Sequence, residues 1–93
     1  MSLMIKDPGG RIDYAFDWSA AYLDGQVIAA SSWTVEPVEV GGVTVESHAF
    51  DTVRTSARLT GGREGVSYRV SNRVTLSDGQ IDERSLTLRV EQR

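Results

Sequence analysis

Cysteine is absent from this 93-residue chain, so no disulfide can staple it and no thiolate can act as a nucleophile or metal ligand. Long apolar runs are absent too. No stretch approaches the roughly 20 apolar residues of a membrane-spanning helix, and no cationic segment with an apolar core opens the sequence. These absences favour a reducing cytosol, or a particle assembled there, and predict no membrane association. The length suits one domain with a single core.

Basic residues are scarce in the first part of the chain and outnumber acidic residues in the second. Residues 1–51 contain eight acidic and two basic side chains, whereas residues 52–93 contain five acidic and eight basic ones. The arginines include no Lys/Arg run and no interleaved aromatics, and the pI is near 5.0, so we predict no nucleic-acid partner. Two interpretations of the uneven charge stay open: a solvated sheet surface, or electrostatic complementarity between copies or with a partner.

Residues 66–90 alternate between apolar and polar side chains on both sides of an Asp78-Gly79 pair. Asp-Gly between two alternating runs is a strong hairpin signal, because glycine tolerates the positive φ of tight turns. Successive side chains of a strand point to opposite faces, so this pattern predicts a sheet with one dry and one wet face. The residues expected to face inward are Tyr68, Val70, Asn72, Val74, Leu76, Leu86, Leu88 and Val90.

Shorter alternating segments, separated by glycine, proline and aspartate turns, fill most of the remaining chain. The first three residues have the character of an expression-vector leader, residues 5–10 of a loop, and residues 18–23 of a short helical turn. The sequence therefore predicts one all-β domain over residues 4–93, an Ig-like or fibronectin-III-like antiparallel β-sandwich of six to seven strands with that one helical turn. Besides the hairpin, the expected strands cover residues 12–16, 26–36, 43–46 and 52–59.

Three residues of the hairpin need a further explanation. Tyr68 is placed where Ig-like sandwiches keep a corner tyrosine, and an ordinary half-buried strand tyrosine is the alternative. Asn72 falls on the apolar face, where a buried amide needs partners such as a neighbouring turn or edge strand. Ile81 is out of phase with the later inward residues, which predicts a β-bulge within residues 82–85.

The aromatic side chains suggest the main alternative function, a carbohydrate- or ligand-binding module. Carbohydrate- and ligand-binding modules present exposed aromatic platforms, and Trp18, Tyr22 and Trp33 are the candidates in this chain. Their positions favour the core instead. Within the strand expected over residues 26–36, Trp33 favours the odd-numbered residues as the inner face, although both faces can be covered.

Catalytic patterns are missing from the sequence. The single histidine, His48, lies in a polar stretch that we expect to be a surface loop, and no nucleophile-elbow motif surrounds any serine. One histidine without cysteine makes a zinc site improbable, and the acids near the hairpin turn lack the spacing of a calcium loop. We therefore predict no enzyme activity, no cofactor and no metal. Those turn acids are Asp78, Asp82 and Glu83.

Several short segments together resemble a family of small phage and prophage proteins, the phage fibre-tail adaptor proteins. These segments cover nearly all of the chain, although residues 36–42 form a longer stretch than we expect in that family. They are Lys6-Asp-Pro8, Asp13-Tyr-Ala-Phe-Asp-Trp18, Leu23-Asp-Gly25, Ile28-Ala-Ala-Ser-Ser-Trp-Thr-Val35, Leu59-Thr-Gly-Gly62, Gly65-Val-Ser-Tyr68, Asn72-Arg-Val-Thr75 and Asp78-Gly-Gln-Ile-Asp-Glu-Arg-Ser-Leu86.

The resemblance implies a non-enzymatic virion component with an Ig-like fold that joins tail structures. It implies other tail or fibre proteins as partners, assembly in the bacterial host cytoplasm, and no catalytic residues. Copies of a virion part commonly contact one another head to tail in a symmetric ring. Arginines on the outer faces of the expected strands are our candidates for partner binding, namely Arg54, Arg58, Arg69, Arg73 and Arg89.

Overall fold

Seven β-strands form two sheets that pack face to face in a computed structural model, which describes residues 2–18 and 25–92. One sheet has four strands in the order β1-β7-β6-β3, and the other has three in the order β2-β5-β4. This confirms the all-β sandwich. The strands are β1 (Ser2–Lys6), β2 (Arg11–Asp17), β3 (Ile28–Glu36), β4 (Thr44–Phe50), β5 (Arg54–Thr60), β6 (Ser67–Leu76) and β7 (Ile81–Val90).

The pairing is antiparallel except at the start of the chain. β1 lies parallel to β7, with Ser2 opposite Leu86 and Lys6 opposite Val90. The strand begins at Ser2, ahead of the domain boundary expected at residue 4, and it includes part of the stretch 5–10 that was predicted as a loop. That loop prediction is wrong for residues 5 and 6, because Pro8 and the following glycines end the strand only after Lys6.

The inward face of the β6–β7 hairpin is buried as the alternation predicts. Each of its eight inward residues is at most 3% exposed. They pack against inward side chains of the three-stranded sheet, including Phe16, Ala57 and Leu59. The hairpin loop spans residues 77–80, where Gly79 has a φ of 90° and its N–H donates to the carbonyl of Leu76.

The predicted bulge within residues 82–85 is absent, so that prediction is wrong. The β6–β7 register runs without a shift from Ser67 opposite Arg89 to Thr75 opposite Ile81. Ile81 simply lies on the outer face, where it is 61% exposed. Strict alternation instead places Arg84 on the inner side, opposite Asn72. The mismatch between Ile81 and the later inward residues needs no bulge, because an apolar residue can lie on an exposed face.

β3 and β4 differ in detail from the predicted strands. A register shift between Ile28 and Ala30 changes the phase of β3, so Ile28 is buried before the shift and Trp33 packs against the core after it. β4 extends to Phe50, beyond the predicted residues 43–46, with a second shift between Val45 and Ser47. His48 therefore lies in a strand rather than in the predicted loop. The helical turn expected over residues 18–23 falls, apart from Trp18, outside the described residues.

The corner before β6 is tied together by Tyr68. Its hydroxyl accepts a hydrogen bond from the backbone N–H of Arg63 at 3.0 Å and donates one to Oε1 of Glu39 at 2.6 Å. A buried tyrosine bonded to backbone a few residues upstream is the corner arrangement of Ig-like sandwiches, so the corner interpretation is confirmed. Burial, followed by the hydrogen bond to Glu39, raises the pKa of Tyr68 above 10.0.

Candidate protein-contact surfaces

Asn72 is the centre of a hydrogen-bond network between the sheets. Its Oδ1 accepts from Thr55 Oγ1 at 2.6 Å and from Trp18 Nε1 at 3.2 Å. Its Nδ2 donates to Ser31 Oγ and to the carbonyl of Ser32, both at 2.9 Å. The predicted partner on an edge strand is thus confirmed, because β3 lies at the edge of the four-stranded sheet. A fully buried amide with these partners is a structural tie rather than a binding group.

Arg84 forms a second tie, which sequence reasoning missed. Its guanidinium carbon lies 5.0 Å from the ring centre of Phe16 and 5.5 Å from that of Trp18, within range of cation–π attraction. Its Nη1 donates to the carbonyl of Asp17 at 3.0 Å. The signal was present in the sequence, since counting back by twos from Val90 assigns Arg84 to the inner face.

Lys6 is a buried cation, which the predicted loop over residues 5–10 did not suggest. It is 1% exposed, and its Nζ donates to the carbonyls of Gly61 at 2.6 Å and Asp7 at 2.9 Å. Desolvation lowers the pKa of this lysine, with the charge of Asp7 acting in the opposite direction. The ammonium thus fastens the end of β1 to the corner that follows β5.

The five arginines proposed for partner binding lie on two opposite outer faces of the sandwich. Arg54 and Arg58 project from β5 on the three-stranded face, and both are exposed. Arg69, Arg73 and Arg89 project from β6 and β7 on the four-stranded face, and they too are exposed. The two sheets lie between these groups, so the five residues form two separate surfaces.

Exposed acids accompany several of these arginines. On the three-stranded face, Arg58 binds Asp13 through two hydrogen bonds, Nε to Oδ1 at 2.9 Å and Nη2 to Oδ2 at 3.3 Å. This hydrogen bonding holds the pKa of Asp13 below its ordinary value and raises that of Arg58. On the four-stranded face, Arg73 pairs with Glu83 at 3.5 Å. Pairs this exposed contribute little to stability.

The four-stranded face holds a shallow depression of about 420 Å³. Arg69 and Arg73 line it, and Arg69 Nε also donates to Ser85 Oγ at 3.4 Å. The other lining residues are serine, threonine and glutamate side chains, namely Ser32, Thr34, Glu36, Ser71 and Glu83. Hydroxyl, guanidinium and carboxylate groups on an open face suit hydrogen bonding to a protein partner.

A cluster of metal-binding side chains is not formed in the part of the chain that the structure describes. His48 lines a depression of about 550 Å³ with Asp13, Ser47 and Arg58, but Asp13 is already held by Arg58. Over residues 2–18 and 25–92, no group of three or more His, Asp or Glu side chains is placed to hold a metal ion. In the same ranges, no helix is long and apolar enough to cross a bilayer.

Two of the three turn acids bind local backbone instead, and the third, Glu83, pairs with Arg73. Asp78 Oδ1 accepts from the N–H of Gln80 at 3.0 Å, and Asp82 Oδ1 accepts from the N–H of Glu83 at 2.8 Å. Carboxylates bonded to the backbone one or two residues on are typical of turns and strand ends. The geometry agrees with the turn chemistry expected from the sequence.

Two of the three aromatic candidates belong to the interior. Trp18 is fully buried, and Trp33 is half-buried with its ring stacked on Phe16 at 5.7 Å between ring centres and an interplanar angle of 17°. Tyr22 lies outside the described residues. The core interpretation of Trp18 is confirmed, and it removes one member of the aromatic platform that a carbohydrate-binding surface would use.

The sequence profile of one protein family matches residues 6–89, which is almost the whole chain. That family is described as the podophage GP4 fiber-tail adaptor protein gp77. The chain belongs to this family. The resemblance noted in the sequence is thereby confirmed, and the chain is related to phage tail adaptor proteins. No curated protein matches the chain.

The residues matched by the fiber-tail adaptor family include the arginines of both faces and the corner around Tyr68. The match also includes residues 36–42, the stretch between β3 and β4 whose length departs from our expectation for the family. That stretch carries two of the most exposed apolar side chains in the described part of the chain, Val38 and Val40.

Proposed function

We propose that this chain is a non-enzymatic structural component of a phage virion that joins tail and fibre proteins through protein–protein contacts. It assembles in the cytoplasm of the bacterial host. Its partners are other tail or fibre proteins, and it acts on no substrate and uses no cofactor. The family membership supports this proposal, since the family is described by its adaptor role.

The observation that carries the proposal is the division of exposed arginines between two opposite faces. An adaptor must contact two neighbours at once, so it needs two surfaces that a single partner does not cover. Arg54 and Arg58 supply one surface, and Arg69, Arg73 and Arg89 supply the other. Arginine is enriched at protein interfaces because its planar guanidinium makes several hydrogen bonds at once.

Self-association in a symmetric ring is the second part of the proposal. A contact between two different patches of the same chain repeats from copy to copy, and it closes into a ring when the rotation between copies divides a full turn. Exposed charges of both signs, such as Glu36, Arg54 and Arg69, favour such head-to-tail contacts electrostatically. We expect a larger mass in light scattering at about 50 mM salt than at about 500 mM salt, because exposed charges are screened at the higher concentration.

Phage particles assembled without this chain test the adaptor role. We expect such particles to lack attached fibres, and complementation with the natural chain to restore them. The double variant R69Q/R73Q should restore fibre attachment poorly, and so should R54Q/R58Q, because each removes two positive charges from one face. The matched variants R69K/R73K and R54K/R58K keep the charge and serve as controls. Fibre-bearing, infectious particles assembled without the chain would refute the adaptor role.

A further inference from the structure

The loop between β3 and β4 presents two apolar side chains to solvent. Val38 is 92% exposed and Val40 is 94% exposed, far more than the partly covered apolar residues at the strand ends, such as Phe50 at 44%. Single exposed apolar residues are ordinary on protein surfaces, but two neighbouring valines projecting from one loop form a small apolar knob. The fold gains nothing from leaving them in water.

Hydrogen bonds hold this knob in place. Between the two valines, the carboxylate of Glu39 turns the other way and accepts the Tyr68 hydroxyl at 2.6 Å. The N–H of Gly42 donates to the carbonyl of Glu39, and the N–H of Gly62 donates to that of Gly41, both at 3.0 Å. The corner tyrosine therefore also fixes the loop that carries the valines. A preorganised loop loses little entropy when it binds.

A convex apolar knob needs a concave apolar socket, and three depressions on the described surface of this chain lack such a lining. Each depression described above is lined by polar or small residues, as is a third one at Gly9, Gly10 and Gly61. None of these three linings contains a large apolar side chain. This argues against a second copy of the chain as the occupant and favours a different protein.

The chemistry next to the knob further defines the partner. Glu36, at the base of the loop, is exposed and lines the depression on the four-stranded face together with Arg69. Two valines alone cannot supply the roughly 800 Å² that each partner buries in a stable interface. Since the polar face begins where the loop begins, the two together have the anatomy of an apolar anchor beside a polar rim.

We propose that Val38 and Val40 insert into an apolar socket of a neighbouring tail protein, and that the rim of this socket carries a basic or hydrogen-bond-donating group that faces Glu36. The inference rests on the proposed adaptor function. It assigns the loop as the anchor and the four-stranded face as the flank of one of the two adaptor contacts.

Binding of the purified chain to each purified structural protein from the same tail-gene cluster tests this inference by calorimetry. The double variant V38S/V40S should bind one of these proteins about 100-fold more weakly than the natural chain, since a buried valine contributes at least about a factor of ten. I81S removes another exposed apolar residue, 61% exposed, from the hairpin at the opposite end of β6 and should bind normally. Urea unfolding should be unchanged in both variants.

The possible failures are distinguishable. If the natural chain binds a tail protein and V38S/V40S binds it equally well, the inferred anchor is wrong and the adaptor function stands. If the natural chain binds none of the tail proteins, the adaptor function and the anchor fail together. If V38S/V40S instead loses mass in light scattering while tail-protein binding is kept, the occupant is a second copy of the chain, and the assignment to a different protein is overturned.

Discussion

Asn72 and Arg73 are consecutive residues of β6, and their surroundings are opposite. Asn72 is fully buried and forms hydrogen bonds to both sheets, whereas Arg73 lies on the outer face and pairs with Glu83 across the hairpin. Both side chains are polar, yet one is needed by the fold and the other is available to a partner. The comparison separates what holds this sandwich together from what it offers to its neighbours.

The contributions of the two side chains to the free energy of unfolding should differ as much as their surroundings. A buried polar group left without its partner costs about 1–3 kcal/mol, because nothing replaces the water it lost on folding. An exposed ion pair contributes about 0–1 kcal/mol, since water and salt screen it. The Arg73 side chain is 62% exposed, which places its pair with Glu83 toward the low end of that range.

The substitution N72L should give the largest effect. It removes the acceptor of the Thr55 hydroxyl and one of two acceptors of Trp18 Nε1, which also donates to Thr55 Oγ1 at 3.2 Å, so we expect the free energy of unfolding to fall by about 2–3 kcal/mol. The neighbouring R73Q should change it by less than about 0.5 kcal/mol. Urea unfolding measures both values. Equal effects of the two substitutions would contradict the comparison.

The sequence predicted the inner face that contains Asn72 and a partner on an edge strand, but not its partners Trp18 and Thr55. Trp18 and Thr55 lie 54 and 17 residues away along the chain, and their contact with Asn72 depends on how the two sheets stack. Period-two patterns specify which face a side chain occupies, not which residue of the other sheet it meets. The sandwich was therefore predictable, and the network between its sheets was not.

The candidate surfaces show the same limit. The alternation correctly placed the five arginines on outer faces, but their division between two sheets depends on strand order, which the sequence pattern does not give. An inward-facing Ile81 requires a bulge before Leu86, and that bulge conceals the inner-face position of Arg84; the unshifted register of β7 reveals it. Val38 and Val40 lie in an irregular loop, which has no strand periodicity from which their exposure could be predicted.

At the corner, Y68F should give the next-largest loss of stability. The substitution keeps the buried ring and removes the hydroxyl that bonds to Glu39 and to the N–H of Arg63. We expect the free energy of unfolding to fall by about 1–2 kcal/mol, less than for N72L, because Glu39 can turn to water. Urea unfolding at neutral pH gives this value, and Y14F, which alters a tyrosine outside the corner, provides the control.

Alkaline pH should weaken the natural protein more than Y68F. The pKa of Tyr68 is raised above 10.0 in the folded state, so this residue contributes stability that is fully present below pH 10.0. That contribution is lost as the pH rises through the folded pKa, because only the unfolded chain ionises easily. Lys6, whose lowered pKa acts in the opposite direction, is common to both proteins and cancels in the difference.

Unfolding of the two proteins by urea, measured at several pH values from about 9 upward, checks this expectation. The difference in their free energies of unfolding should shrink as the pH rises, because the natural protein loses the contribution of the protonated Tyr68. A difference that stays constant across this range would show that the hydroxyl titrates in the folded state as it does in the unfolded chain.

A substitution on the outer three-stranded face should have the smallest effect on stability and a clear effect on the pKa of one carboxyl group. R58Q removes the guanidinium that holds the pKa of Asp13 down, so that pKa should return toward 3.8 in an NMR titration while the urea midpoint stays the same. R73Q, on the opposite face, should leave Asp13 unchanged. A marked loss of stability in R58Q would mean that this exposed pair belongs to the fold, as Asn72 does, and is not free to be exchanged for a partner's carboxylate.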